Sequence, residues 1–442
     1  MPGMPTASRR GFDVAIVGAG AAGLAAAGLL SRGGATVVLL EARARLGGRI
    51  WTRRRAGWPV PLELGPEFVH GRNEEFFELL REAGAPLRVV RLPDAHVQRV
   101  GSRLRPMKDT WGRFDAIARR LGRSGSDRSI AEELRRRPAA FTPAERRLLT
   151  TMVEGYDAAP IELASARALS TAGERRIGDD DRAQFRPIEG YGSLVDWLAS
   201  RLDGSRCAVR RSTAVRRVAW RRGAVRLSTS RGEIRARRVL VTLPIGVLSA
   251  SAGRGALAFD PDPPGLRRAL SGLAMGDVVR LVLRFRDPFW RDSPRVRQSG
   301  EDDPNFFHFF GAAFPTWWTC APVEASVLTA WAGGPSASTL RSLPRERIVR
   351  TAVETLAAGL GISVSRIARR LLDWDLHDWT GDPYARGAYS YALVGGATAG
   401  RRLMRPVEDT LFFAGEAVGE GDSGTVPAAI ASGERAARQI LR

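Results

Sequence analysis

Residues 13–49 read DVAIVGAGAAGLAAAGLLSRGGATVVLLEARARLGGR, and the order of residue types predicts a strand, a glycine turn, a helix and a second strand. The apolar run 14–17 is typical of a buried parallel strand. Gly18, Gly20 and Gly23 follow it in the G-x-G-x-x-G spacing, where a helical pattern begins. This arrangement is typical of a dinucleotide-binding unit, because the glycines permit a tight turn, close approach of a pyrophosphate and close packing of helix on sheet.

The acidic residue that such a unit needs is also present. The second predicted strand, 36–40, ends in Glu41, whose carboxylate can hydrogen-bond a ribose hydroxyl and disfavours a 2′-phosphate. A membrane span over 13–30 is the alternative, but four glycines and no aromatic anchor in that stretch favour a buried strand and helix.

Composition sets the broad class. The chain has 442 residues and 44% hydrophobic content, enough for two or three domains with a large core. No apolar signal segment is visible, so we expect a cytoplasmic protein without a membrane anchor, as a monomer or homodimer. With only Cys207 and Cys320, and four histidines without ligand spacing, the sequence predicts neither a disulfide framework nor a metal site.

The formal charge of +21 raises nucleic acid as a partner. Lys108 is the single lysine among the 68 basic residues, and the arginines are spread along the chain. We interpret the excess as a composition bias and expect no specific nucleic-acid partner.

After the first unit, helical and extended patterns alternate. Short helices are predicted across 107–156, and three β-rich runs between 213 and 242 resemble a small sheet that returns to the nucleotide unit. The run 278–286 alternates well enough for a strand with one wet face, in a mixed sheet. A strand at 410–415 and a helix from about Val426 to Leu441 end the chain.

Several motifs, taken in order, carry a resemblance to a known family. They are the glycine turn, the basic loop 43–49, LELGPEFVHG at 62–71, WTGDPYARGAYS at 379–390 and FFAGEAVGEGDSGTVPAAIASGERAA at 412–437. Together they resemble the flavin-dependent amine oxidases, which include monoamine oxidases, polyamine oxidases and lysine-specific histone demethylases. The motifs are most similar to those of polyamine oxidases.

The resemblance implies an α/β fold with two parts. One is a Rossmann-like FAD-binding domain assembled from discontinuous segments, expected at 1–90, 204–262 and 400–442. The other is an α+β substrate-binding domain with a mixed sheet, expected at 91–203 and 263–399.

The resemblance also implies noncovalent FAD and a set of residues around it. Ala388 takes the place of the cysteine that links covalently to FAD in monoamine oxidases. The last helix would aim its positive end at the flavin pyrimidine ring. The implied cofactor-binding residues are Gly18, Gly20, Gly23, Glu41, Arg43, Gly47, Gly48, Arg49, Gly65, Pro66, Glu67, Val215, Pro244, Trp379, Gly415, Glu416, Thr425 and Val426.

Four residues are implied at the reacting centre. The family chemistry is hydride transfer from the carbon next to an amine to flavin N5, which gives an imine that water hydrolyses. Trp379 and Tyr389 would wall a dry site that favours the neutral amine, and His70 would accept its proton or orient it. Arg280 stands where the family has a lysine that holds a water near N5, so the electron acceptor is molecular oxygen or another oxidant.

The expected substrate is a small primary or secondary amine, with polyamines included. Two alternatives stay open. One is an L-amino-acid oxidase, in which Arg280 or Arg386 binds the carboxylate; the other is a flavoprotein without oxidase turnover that acts as a dehydrogenase or a binding partner. Glu67 and Glu189 are weaker candidates for holding a second ammonium, and we expect both at the surface.

Overall fold

The computed structural model describes residues 11–84, 87–122, 125–175, 183–419 and 423–442. The strands in this part of the chain are β1 Phe12–Val17, β2 Val37–Leu40, β3 Thr52–Arg53, β4 Leu62–Glu63, β5 Val69–His70, β6 Val89–Arg91, β7 His96–Val100, β8 Arg103–Pro106, β9 Gln184–Pro187, β10 Cys207–Arg210, β11 Val215–Arg221, β12 Ala224–Thr229, β13 Gly232–Val241, β14 Ala258–Asp260, β15 Leu273–Met275, β16 Val278–Phe285, β17 Phe306–His308, β18 Thr316–Thr319, β19 Val327–Gly333, β20 Leu371–Leu376, β21 Ser390–Ala392 and β22 Leu411–Phe413.

The helices lie between these strands, either singly or several in succession. They are α1 Ala21–Arg32, α2 Glu74–Ala83, α3 Thr110–Ala118, α4 Ile130–Arg136, α5 Pro143–Gly155, α6 Ala166–Arg175, α7 Gly192–Ser200, α8 Ile245–Leu248, α9 Leu266–Leu270, α10 Pro294–Arg297, α11 Gly334–Arg341, α12 Arg345–Leu360, α13 Val364–Ala368, α14 Ala399–Leu403 and α15 Val426–Leu441. No helix in the described ranges is both long enough and apolar enough to cross a bilayer.

Local capping decides where several helices begin. α5 begins after Thr142, whose side chain forms a reciprocal capping box with Glu145, and Pro143 occupies the first turn, where no N–H is needed. α15 begins after Thr425, whose Oγ1 accepts the N–H of Ala428 at 3.2 Å. The predicted start of the last helix is confirmed.

The largest sheet contains the predicted strand, turn, helix and strand. Its strands run in the order β10-β2-β1-β13-β12-β11-β14, and β22 also pairs with β13. β10, β2, β1, β13 and β22 pair in parallel, whereas β12 is antiparallel to both of its neighbours. The three β-rich runs therefore return to the nucleotide unit, as predicted, and β13 lies beside β1.

Two close backbone approaches hold the helices on this sheet. A Cβ on Gly23 would lie 2.0 Å from the carbonyl oxygen of Gly18, so the start of α1 rests directly on the glycine turn. A Cβ on Gly433 would lie 2.2 Å from the carbonyl oxygen of Ala22, so α15 crosses α1 at backbone distance. α7, which we placed with the substrate-binding segments, packs its buried side chains into the same core as α1.

A second, seven-stranded sheet has the order β20-β16-β19-β18-β17-β7-β8. The pairings are antiparallel except for β7 with β17, so the predicted mixed sheet is confirmed. The prediction that one face of β16 is exposed to solvent is wrong, because only Arg284 of the strand is more than slightly exposed. Val279 and Leu281 join the core under α12, and Val282 packs against Trp58 on the other face.

Candidate active site

One cavity of about 750 Å³ runs from the glycine turn after β1 to the seven-stranded sheet. Every residue that the sequence analysis assigned to the cofactor or to the reacting centre lines it, except Gly23. Gly23 lies beneath the glycine turn instead, which agrees with the packing role predicted for it. The structure thus brings these residues together around one cavity.

The glycine turn leaves room where a pyrophosphate would approach. Gly18 has φ +105°, which an L side chain rarely adopts. A Cβ on Gly20 would meet nothing closer than 3.9 Å, so the turn is open toward the cavity. The Gly47 N–H donates to the Ala19 carbonyl at 2.8 Å, so the basic glycine loop 43–49 lies next to the glycine turn. This cradle at the N-terminus of α1 fits the diphosphate of a dinucleotide.

Glu41 is fixed at the end of β2 by the same backbone. One carboxylate oxygen accepts the N–H of Ala19 at 3.0 Å, and the other accepts the N–H of Arg43 at 2.9 Å. Because a carboxylate offers about four acceptor positions, these two bonds leave capacity for a ribose hydroxyl.

Two arginines that line the cavity form ion pairs with residues from the C-terminal half of the chain. Arg43 bonds Asp382 at 2.7 Å, and Arg49 bonds Glu416 at 2.9 Å. Burial alone would raise the pKa of Asp382, but hydrogen bonds from His377 and Arg43 hold that pKa below its usual range. The pairs keep both guanidiniums in place, where they can offset the charge of a bound pyrophosphate.

Of the two predicted aromatic residues, Trp379 is buried and Tyr389 is half-buried, and both are fixed by hydrogen bonds. The indole N–H of Trp379 donates to the Leu64 carbonyl at 2.6 Å. The hydroxyl of Tyr389 donates to the Tyr156 carbonyl at 2.5 Å, and burial raises the pKa of this phenol well above its ordinary value. His70 meets Tyr156 edge to face, with ring centroids 5.2 Å apart. The three side chains can therefore shape a dry, neutral chamber.

Only 11% of the Glu67 side chain is exposed, which corrects the expectation that it lies at the surface. Both Arg280 and Arg186 form ion pairs with it, the latter at 2.9 Å, and the indole N–H of Trp318 donates to it at 2.9 Å. Burial acts to raise the pKa of Glu67, but the charges of Arg280 and Arg186 outweigh it and lower the pKa. Arg280 also donates to the Gly65 carbonyl. Its two terminal nitrogens are therefore both engaged.

Two other candidates lie outside the cavity lining. Glu189 forms an ion pair with Arg88 at 3.2 Å. Arg386 donates to the carbonyls of Ala252 and Arg254. Neither side chain is placed to hold part of a substrate in this cavity.

Sequence analysis missed the aromatic wall, by which we mean Phe68, Phe306, Trp318 and Trp331. These four side chains line the end of the cavity next to the seven-stranded sheet. The centroid of Phe68 lies 5.3 Å from that of Trp318, which in turn lies 5.8 Å from Trp331. The spacing of aromatic residues along 306–310 and at 316–318 puts alternate side chains on one face, and this signal could have found the wall.

A buried histidine pair beside the wall was also missed. His96 Nδ1 lies 3.1 Å from His308 Nε2, because parallel pairing of β7 with β17 brings the two residues together. Burial lowers the pKa of His96 to about 4 and the pKa of His308 well below its ordinary value. Within the described part of the chain, no group of three or more His, Cys, Asp or Glu residues could hold a metal ion.

The chain is similar in sequence and in fold to known proteins. A family model described as flavin containing amine oxidoreductase matches residues 21–441. Polyamine oxidase 1 of Oryza sativa subsp. japonica is 29% identical to the chain over 97% of each sequence. Two solved structures share the fold. A putrescine oxidase with putrescine bound has a TM-score of 0.78 and 22% identity, covering 97% of this chain and 99% of its own. A cyclohexylamine oxidase from Brevibacterium oxydans IH-35A has a TM-score of 0.81 and 20% identity, covering 98% and 99%.

Proposed function

The chain belongs to the flavin containing amine oxidoreductases, and from this premise we propose that it oxidises a small primary or secondary amine with FAD. The product is an imine that water hydrolyses. The observation that carries the proposal is a continuous cavity, because the nucleotide cradle and the chamber of His70, Trp379 and Tyr389 share one lining. The relatives named as oxidases of polyamines, putrescine and cyclohexylamine support an amine as the substrate class.

The proposed cofactor sites follow the structure. Gly18, Gly20 and Gly47 leave the space for the pyrophosphate, Arg43 and Arg49 offset its charge, and Glu41 accepts from the ribose. Thr425 and Val426 at the start of α15 line the cavity and would hold the flavin, which when bound would supply the hydride acceptor of the reaction. The FAD-binding and substrate-binding segments remain as assigned from the sequence, except that α7 packs with the nucleotide core.

The chain's own residues prepare the substrate. An alkylammonium must become a neutral amine before it can lose hydride, and a dry chamber disfavours its charged form. Trp379 and Tyr389, both held by backbone carbonyls, exclude water around the reacting carbon. His70 lines the same chamber and, as a neutral imidazole, accepts the proton or a hydrogen bond from the amine.

FAD binds noncovalently in this proposal. Ala388 lines the cavity at the position of the linking cysteine, and neither Cys207 nor Cys320 is among the lining residues. Denaturing the yellow protein should therefore release all of its flavin into solution, as measured by absorption after the protein is removed. Flavin that stays with the precipitated chain would contradict the noncovalent assignment.

The function is tested by anaerobic mixing. Purified holoenzyme is mixed without oxygen with monoamines, polyamines and neutral amino acids, and the visible flavin absorption is followed. We expect amines to bleach the flavin and to yield an aldehyde or ketone, and the recovery on admitting air shows whether oxygen is the acceptor. Bleaching by amino acids alone would establish the amino-acid oxidase instead. No bleaching by either class would leave a flavoprotein without this activity.

A further inference from the structure

The one carboxylate that joins the aromatic wall is already neutralised. Glu67 accepts hydrogen bonds from Arg280 and Trp318 and forms an ion pair with Arg186 at 2.9 Å. Arg280 and Arg186 are only 4% and 7% exposed. Two buried guanidiniums against the Glu67 carboxylate leave these three side chains with a net charge of +1. Burial raises the pKa of the neighbouring Glu63 to about 7, so this carboxyl offsets the positive charge only in part at neutral pH.

The rings of the wall are also engaged by cations. The Arg280 guanidinium lies 5.5 Å from the ring centroid of Trp318, and that of Arg186 lies 5.3 Å from Phe68. Aromatic faces attract cations at such distances. Because guanidiniums already lie over the rings of Phe68 and Trp318, a substrate cation bound beside these rings would be repelled by them.

The histidine pair adds no negative charge. His96 and His308 hydrogen-bond each other, and His96 stacks on Phe306 with centroids 4.3 Å apart. Burial keeps both imidazoles neutral at neutral pH. Glu67 is therefore the carboxylate that the lining offers at this end of the cavity, and its charge is already paired.

The other carboxylates of the cavity lie elsewhere. Glu41 and Glu416 belong to the nucleotide side, where they bond Ala19 and Arg49. Asp157 lies near the reacting centre, since its charge acts on the phenol of Tyr389.

We propose that the substrate carries a single positive charge, on the amine that is oxidised, and packs an uncharged apolar body against the aromatic wall. A second ammonium on that body is rejected, because it would lose its hydration beside the positively charged cluster of Glu67, Arg280 and Arg186. This inference rests on the proposed function and names its substrate class as monoamines rather than polyamines.

The test compares hexylamine with hexamethylenediamine, which share a chain length and differ by one ammonium. We expect hexylamine to reduce the flavin anaerobically with a second-order rate constant at least about 100-fold higher, because an unpaired buried charge is strongly penalised. A diamine that reduces the flavin as fast as hexylamine would overturn this inference and leave the proposed function intact. If no monoamine or polyamine of the anaerobic panel reduces the flavin, the proposed function itself fails.

Arg186 supplies a matched pair of variants. Both Arg186→Gln and Arg186→Lys lose the guanidinium bonds to the Ala321 and Thr319 carbonyls, but only the first removes the positive charge. We expect Arg186→Gln to raise the diamine-to-hexylamine ratio about tenfold and Arg186→Lys to leave it unchanged. The dissociation constants of the two amines, from the concentration dependence of the anaerobic reduction rate, should change in ratio by a similar factor in Arg186→Gln and stay in the parental ratio in Arg186→Lys. Equal ratios in the two variants would contradict a charge-based rejection.

Discussion

Replacing Gly23 with alanine is expected to yield a protein that is destabilised and retains little flavin. The added Cβ would lie 2.0 Å from the Gly18 carbonyl oxygen, and backbone cannot rotate away as a flexible side chain can. Overpacking of this kind costs about 3 kcal/mol or more, at the upper end of the usual range. The free energy of unfolding of the apoprotein, from urea denaturation, and the flavin content after purification measure the two effects.

Gly20→Ala is the matched control for this variant. A Cβ at Gly20 meets nothing closer than 3.9 Å, so the apoprotein should unfold within about 1 kcal/mol of the parent. The same Cβ enters the space assigned to the pyrophosphate, so the dissociation constant for FAD should rise at least about tenfold. If Gly23→Ala is as stable as Gly20→Ala, the packing role assigned to Gly23 is wrong.

Glu67→Gln is expected to be the most damaging isosteric change in the cavity wall. It keeps the volume but removes the charge that pairs Arg280 with Arg186, and breaking a buried ion pair from one side costs about 3–5 kcal/mol. Glu324→Gln removes the same charge from an exposed pair with Arg291, for which the expected loss is about 0–1 kcal/mol. The free energies of unfolding at neutral pH give the comparison, and equal losses would contradict the account.

The same pairing predicts a pH dependence. The pKa of Glu67 is lower in the folded protein than its ordinary value, so the folded state binds the proton less readily than the unfolded state. The pairing therefore contributes its full stability above the ordinary pKa and loses it as the pH falls through the folded value. In Glu67→Gln this acid-range loss should be smaller, as measured by urea denaturation across a pH series.

The nucleotide half of the fold could be predicted because its signals are local. The apolar run before Gly18, the glycine spacing and Glu41 lie within one short stretch, and backbone geometry requires glycine at Gly18 and Gly23. The last helix is equally local, because Thr425 caps it and Pro427 suits its first turn. The family resemblance named His70, Trp379 and Tyr389 as residues of one site, and all three line the same cavity.

The histidine pair beside the aromatic wall could not be predicted, because it depends on the pairing of distant segments. His96 and His308 meet only through the pairing of β7 with β17, and spacing along the chain carries no trace of that contact. The two faces of β16 were misread for a related reason. Arg280 resembles a solvent-facing residue in an alternating strand, but Glu67 from a distant loop pairs with it inside the protein.

The most direct test of amine oxidation in this cavity uses a substrate amine deuterated at the carbon next to nitrogen. The holoenzyme is mixed anaerobically with the deuterated and the ordinary amine, and the rate of flavin bleaching is compared at saturating concentration. The account predicts that both bleach the flavin and that the deuterated amine does so several times more slowly, because this C–H bond breaks as hydride leaves. Absence of bleaching, or a faster reduction by an amino acid than by any amine, would contradict it.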